Sequence, residues 1–214
     1  MEPARDRRNS RWDAHRQARR AQLVDAAVAA IRRHGAGVGM DEVATQAATS
    51  KTVVYRHFTD RADLHLAVCG RVAEVLLAAI GTAMATAAGP RATLAAGIDA
   101  YLRLVEADPE LYRFVVHQPL VGAAARNDPV SHLVSLLGGR AAEVVAAQLA
   151  RAGGDTAPAT PWGHGIVGMV HAAADHWLTH PSPMTRDELA THLTDLAWAG
   201  LSGVVVAPAP EEQP

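Results

Sequence analysis

The sequence predicts an all-α protein, with a small three-helix module at the N-terminal end followed by a larger helical bundle. Three observations lead there. Hydrophobic residues make up 49% of the 214-residue chain but aromatics only 4%. Alanine therefore carries much of the apolar content, and it has the best helix propensity because it loses no side-chain entropy. Apolar residues recur at helical spacing in one segment after another, and no stretch alternates apolar and polar residues as a half-buried strand does. Clusters of glycine, proline and short polar residues separate these segments: Gly89-Pro90, Asp108-Pro109, Pro119, Asn127-Asp128-Pro129, residues 153–158 and Pro181-Ser182-Pro183.

The elements follow in order. Residues 1–12 are polar and arginine-rich and read as a flexible arm. From about residue 13 to 34 the pattern is helical, with Leu23, Ala27, Ala30 and Ile31 on one face and Gly35 as the stop. Asp41 is placed to cap a short helix over 41–47, with Val43 and Ala47 inward. A tight turn at Ala48-Thr49 follows, and Ser50 is placed to cap a third helix over about 51–58. A long helix is expected over 61–87, then further helices over 91–108, 109–117, 130–152, 162–179 and 185–205. Residues 207–214 form a Pro/Glu tail expected to be disordered. The domain boundaries expected are an arm over 1–12, a helix-turn-helix domain over 13–64, a bundle over 65–206 and the tail over 207–214.

Charge divides the chain. Residues 1–61 hold twelve Lys/Arg and seven Asp/Glu, a balance of +5, and residues 62–214 a balance of −7. Only the front is suited to a polyanion. The single cysteine, Cys69, rules out an internal disulfide and a multi-cysteine zinc site, and a reducing, cytoplasmic setting fits. No signal peptide is expected. The longest apolar run, 75–89, reads as a buried helix rather than a bilayer span. There is no glycine-rich phosphate loop, no Gly-x-Ser-x-Gly elbow and no telling pair of carboxylates. His171 with Asp175 and His176 with His180 have i, i+4 spacing, but a third ligand is missing. No metal, no cofactor, no membrane partner and no catalytic residue is therefore expected.

The chemistry lies in residues 41–58. Two short helices joined by a tight turn have the spacing of a helix-turn-helix, whose second helix enters the major groove and reads base edges with its N-terminal residues. Lys51 can donate to guanine acceptors or phosphate, Thr52 can hydrogen-bond to bases, and Val53 can touch a thymine methyl. Val54 and Phe58, four apart, share an inward face. Tyr55, Arg56 and His57 offer polar groups toward the backbone, and Arg61 begins the next helix, where a phosphate could meet both its side chain and free amides.

The run KTVVYRHFTDRADL (51–64), with DEVATQAA (41–48) and AAVAAI (26–31) upstream, resembles the DNA-binding domain of the TetR/AcrR family over about residues 16–64. The resemblance implies a sequence-specific DNA-binding transcription regulator, in most cases a repressor. It implies base contacts from Lys51, Thr52, Val53 and Tyr55, and phosphate contacts from Arg56, His57 and Arg61, with the arginine-rich arm adding to them. It also implies a homodimer on a palindromic operator and a small-molecule inducer held in the bundle. Two positions depart from the family pattern. Ala48 stands where glycine is usual, at a cost of roughly 1 kcal/mol if the backbone there is left-handed. Thr49 stands where valine is common.

The bundle gives its own hints. In the last helix Leu189, Leu193, Leu196, Ala197, Gly200 and Leu201 follow one apolar seam. In the helix before it Gly165, Gly168, Ala172 and His176 form a narrow, mostly small face. These residues are the expected dimer interface, a four-helix contact between two copies. Tyr101, Leu104, Val105, Tyr112, Phe114, His117, Trp162, Met169 and Trp177 are the larger side chains available to line a pocket for an apolar or amphipathic ligand. Ligand binding is expected to tilt the 61–87 helix and change the separation of two recognition helices, about 34–36 Å on successive major grooves. Two other classes compete: a non-specific architectural DNA binder, and an all-helical enzyme or carrier built on the bundle.

Overall fold

The computed structural model describes residues 3–117, 129–180 and 183–205. The expected tail over 207–214 and the breakers at Pro119, Asn127, Asp128, Pro181 and Ser182 lie outside these. Among the described residues the chain is helical, with no strand. The helices are α1 (Pro3–His34), α2 (Met40–Gln46), α3 (Lys51–His57), α4 (Arg61–Ala85), α5 (Pro90–Ala107), α6 (Pro109–Val116), α7 (Pro129–Arg151), α8 (Ala159–Thr179) and α9 (Arg186–Val205).

Most boundaries agree with the sequence within two or three residues. The main difference is at the front, where α1 begins at Pro3 and the expected arm is part of it. No glycine follows Pro3 until Gly35, and proline is at home in a first turn, where its missing N–H has no partner to lose. The same tolerance starts α8 at Ala159, with Pro161 inside its first turn. α2 begins one turn position earlier than expected. Gly39 is its N-cap, and the Glu42 carboxylate accepts the Gly39 N–H at 3.0 Å, so Asp41 lies within the first turn instead of capping it.

The chain divides into two compact units. The first comprises residues 1–72 and 108–129, the second residues 73–107 and 130–214. The first therefore includes α6, which the sequence reading grouped with the bundle. α6 is fastened within that unit by acids at its start. Asp108 accepts the Leu111 N–H at 3.2 Å and pairs with Arg32 at 2.5 Å, and Glu110 accepts the Ala36 N–H at 3.0 Å. Leu23, Ala27, Ala30 and Ile31 are buried as their spacing predicted, along with Val43, Val54, Phe58, Leu64, Val68 and Phe114.

In the second unit, α5, α8 and α9 enclose a core of Ile98, Leu102, Val170, Ala174, Leu189, Ala190 and Leu193. A second cluster, Val145, Leu149 and Ala159, joins α7 to the start of α8. There α7 and α8 run very close. A side chain at Gly163 would place its first carbon 2.3 Å from the Ala142 nitrogen, so only glycine fits. Ion pairs fasten α5 to α9: Arg186 pairs with Asp99 and with Glu106 at 2.9 Å, and Arg91 pairs with Asp195. α4 supplies residues to both units. It is long and apolar enough to cross a bilayer by length and composition, unlike the shorter run read from sequence. It buries Leu64, His65, Val68, Cys69 and Leu76 inside the protein.

Candidate nucleic-acid interface

The turn between α2 and α3 is closed by two backbone bonds. Thr49 N–H donates to the Ala44 carbonyl at 2.9 Å, and Ala48 N–H to Thr45 at 3.1 Å. That pairing is a Schellman motif, which needs a left-handed residue just past the helix end. Ala48 takes it, with φ of 49°, and among the described residues no other non-glycine has a positive φ. The departure at Ala48 noted from sequence therefore falls on the one backbone position where glycine would relieve strain.

Ser50 then takes the N-cap position of α3 with extended backbone, but its side chain makes no capping bond, contrary to the role expected for it. Val54 and Phe58 are completely buried and seat α3 from beneath. The opposite face carries Lys51, Thr52, Tyr55 and Arg56, all exposed, with Tyr55 48% exposed despite its size. Val53 and His57 are half-buried at the edges. Tyr55 lies outside the core, and a tyrosine left half in water is available for a partner. Arg61, exposed at the start of α4, lies with its guanidinium 3.5 Å from the Gly37 carbonyl.

A knot of polar groups holds the far end of α3. Arg20 of α1 pairs with Asp63 at 2.6 Å, donates to the His57 carbonyl, and lies 4.2 Å over the Phe58 ring. Asp63 also accepts the Thr59 N–H at 3.0 Å, while its own N–H donates to the Asp60 carboxylate at 2.8 Å. The Arg20 hydrogen bond holds the Asp63 carboxyl below its usual range, against the opposing effect of burial. His57 is pushed down by burial first, then by the nearby charges of Arg19, Arg16 and Arg20. Both effects favour the neutral imidazole, which can still donate an N–H to a phosphate. The sequence reading missed Arg20 and Asp63. The signal was the Asp60-x-x-Asp63 spacing at a helix start, which is a capping pattern.

The ligand and dimer candidates are distributed as follows. Tyr112 and Phe114, both buried, and exposed His117 belong to the first unit. The Phe114 and His65 rings lie tilted against each other with centroids 5.0 Å apart, and Tyr112 lies edge-on to His117. Tyr101, Leu104, Val105, Trp162, Met169 and Trp177 belong to the second. There Tyr101, Met169 and Trp177 pack on the α5/α8/α9 core, Trp162 on the smaller cluster, and Val105 is buried. The Tyr101 hydroxyl shares a hydrogen bond of 2.9 Å with His171 Nδ1. Of the α9 seam, Leu189, Leu193 and Ala197 are buried in their own chain, Leu201 is half-buried, and Leu196 and Gly200 are exposed, Leu196 by 62%. On α8, Gly165, Ala172 and His176 are exposed and Gly168 is half-buried. The His176 and His180 rings stack at 4.1 Å.

Residues 23–68 match the family described as bacterial regulatory proteins, tetR family. Residues 79–209 match the tetracyclin repressor-like C-terminal domain. The chain is 37% identical over 204 residues to an uncharacterised HTH-type transcriptional regulator of Mycobacterium tuberculosis, covering 94% of this chain and 85% of that protein. It is 29% identical to the HTH-type transcriptional activator FasR of Mycolicibacterium smegmatis, covering 88% of this chain and 85% of that one. Among solved structures, FadR of Bacillus subtilis in complex with stearoyl-CoA superposes with a TM-score of 0.67 at 16% identity, covering 84% of this chain and 98% of that one.

Proposed function

The chain belongs to the tetR family of bacterial regulatory proteins, and we propose that it is a cytoplasmic, homodimeric repressor released from a palindromic operator by an amphipathic small molecule. The family and the named relatives are DNA-binding transcriptional regulators, not enzymes. The observation that carries the reading is the face of α3. Lys51, Thr52, Tyr55 and Arg56 are exposed together on a helix that Val54 and Phe58 seat from the other side. Lys51, Thr52, Val53 and Tyr55 would read bases, and Arg56, His57 and Arg61 would hold phosphates. The domain division, with a DNA-binding part to about residue 64 and the ligand-binding and dimerisation part over 65–206, goes with this reading.

Dimerisation would use the small exposed face of α8 (Gly165, Gly168, Ala172, His176) and the outer residues of α9 (Leu196, Gly200). A first side-chain carbon at Gly165, Gly168 or Gly200 would meet nothing within 4 Å, so a second copy's helices have room to approach. The seam read from sequence is thereby narrowed, because Leu189, Leu193 and Ala197 already serve their own core. For the ligand, Tyr101 and His171 supply a polar pair beside Met169 and Trp177, a mixture suited to a molecule with one polar end. FadR, whose structure holds stearoyl-CoA, makes that compound the first probe. A ligand acts through its different affinity for DNA-competent and incompetent states. FasR, an activator, favours a second reading in which occupancy promotes transcription.

Selection of duplexes from a random pool tests the reading. The expected result is an inverted repeat bound by two chains, with half-sites about 34–36 Å apart or a multiple of that. Stearoyl-CoA should then loosen the complex. Enrichment of no sequence, or a complex with a single chain, contradicts it.

A further inference from the structure

Lys51 is the only lysine of the chain, and it stands on the first turn of the helix that faces DNA. Its ammonium is not free. It lies 2.8 Å from the carboxylate of Asp41, on the first turn of α2, with the lysine side chain 50% and the aspartate side chain 68% exposed. The pair bridges the two helices of the motif across the strained turn at Ala48. Asp41 is a surprising residue there, since a carboxylate beside a phosphate backbone is repelled. Its side chain has no second partner among the bonds described. It does not cap α2, which Gly39 and Glu42 close between them.

We propose that Asp41 is a specificity-determining residue, which holds Lys51 back from phosphates and aims it at a base edge. The proposal rests on α3 being the reading helix. An ammonium has three donors on a flexible stem. Left alone it finds any phosphate, which strengthens binding to every sequence alike. With one N–H held by Asp41, the two remaining donors keep a defined direction and can meet guanine O6 and N7. On unmatched DNA the pair stays closed and presents no net charge. The Asp41 hydrogen bond and charge also raise the affinity of Lys51 for its proton.

The experiment uses the full chain, with a duplex selected from a random pool by the wild type and a mixed-sequence duplex of equal length. Asp41→Asn is expected to bind the mixed duplex about 3- to 10-fold more tightly, with the salt slope steeper by about 1 as Lys51 gains a phosphate. Binding to the selected duplex should stay level or weaken, so the ratio of the two affinities falls. In a Lys51→Ala background the same change should leave the salt slope as it was. Circular dichroism checks that each variant melts as the wild type does, which the exposure of both side chains predicts. Equal tightening on both duplexes, or no change on either, overturns the proposal. A wild type that enriches no sequence overturns instead the reading of α3 on which it rests.

Discussion

In the first unit, the polar side chains of α3 stand in solvent while buried Val54 and Phe58 carry the packing. In the second unit the larger side chains do both jobs. Tyr101, Met169 and Trp177, which we propose line a ligand site, also pack on the core that joins α5, α8 and α9. Charge differs in the same way. Around α3 the acids Asp41 and Asp63 each hold one cation in place. On α5 and α9 the ion pairs of Arg186 and Arg91 tie one helix to another. The proposed reading surface stands out because Thr52, Tyr55 and Arg56 are exposed on a helix that other residues seat. The ligand site proposed in the second unit does not stand out in this way, because its residues also pack the core.

The contrast can be broken first at Phe58. Phe58→Ala removes a fully buried ring and should cost about 3–5 kcal/mol in a denaturant melt. The unseated α3 should lose DNA binding with it. Lys51→Ala makes the opposite test on the exposed face. Stability should move by less than about 0.5 kcal/mol, while discrimination between the selected and a mixed duplex falls by about 1–3 kcal/mol. If both substitutions changed stability alike, the division of α3 into a seat and a reading face would be wrong.

Arg20 sharpens the comparison at the level of the knot. Arg20→Ala should cost about 1–2 kcal/mol, discounted because both members of its pair are about one-third exposed. pH separates this from simple loss of packing. The carboxyl of Asp63 is depressed from 3.8 in the folded state, so its contribution is fully present above that value and is lost as pH falls through the lower folded value. Wild type should therefore lose more stability than Arg20→Ala between pH 4 and pH 2, measured by thermal melts (about the range set by carboxylate pKa values). Ala48→Gly is the smallest effect and the only gain. Relief of the left-handed alanine should add about 0.5–1 kcal/mol, or about 1–4 °C in melting temperature.

These residues also mark how far the sequence could be read. The helix-turn-helix was legible because its turn, its seat and its exposed face occupy eighteen consecutive residues, 41–58, where spacing alone fixes which side chains share a face. The strain at Ala48 was anticipated from the family resemblance, which puts glycine at that place in the turn. Of the knot, only the Asp60-x-x-Asp63 spacing could be read; the part of Arg20 could not, because it is 43 residues from Asp63 in sequence and nothing in a list of arginines tells a phosphate contact from a tether. The same limit applied to α9, where helical periodicity grouped Leu189 and Leu193 with Leu196. One seam can face its own core or a second copy, and only packing separates them. The extension of α1 to Pro3 was missed for another reason. Composition read the arginines as an arm, whereas no residue between Pro3 and Gly35 breaks a helix.

The central claim is that α3 reads sequence through its exposed face. The direct measurement is competition at one fixed salt concentration between a duplex selected by the wild type and a mixed-sequence duplex, for the wild type and for Tyr55→Ala. Tyr55 is half exposed and outside the core, so the variant should fold normally. The account predicts a preference of at least about a thousandfold for the wild type and a drop of about tenfold or more in Tyr55→Ala, with binding to the mixed duplex little changed. An equal affinity of the wild type for both duplexes, or a variant with an undiminished preference, would contradict it.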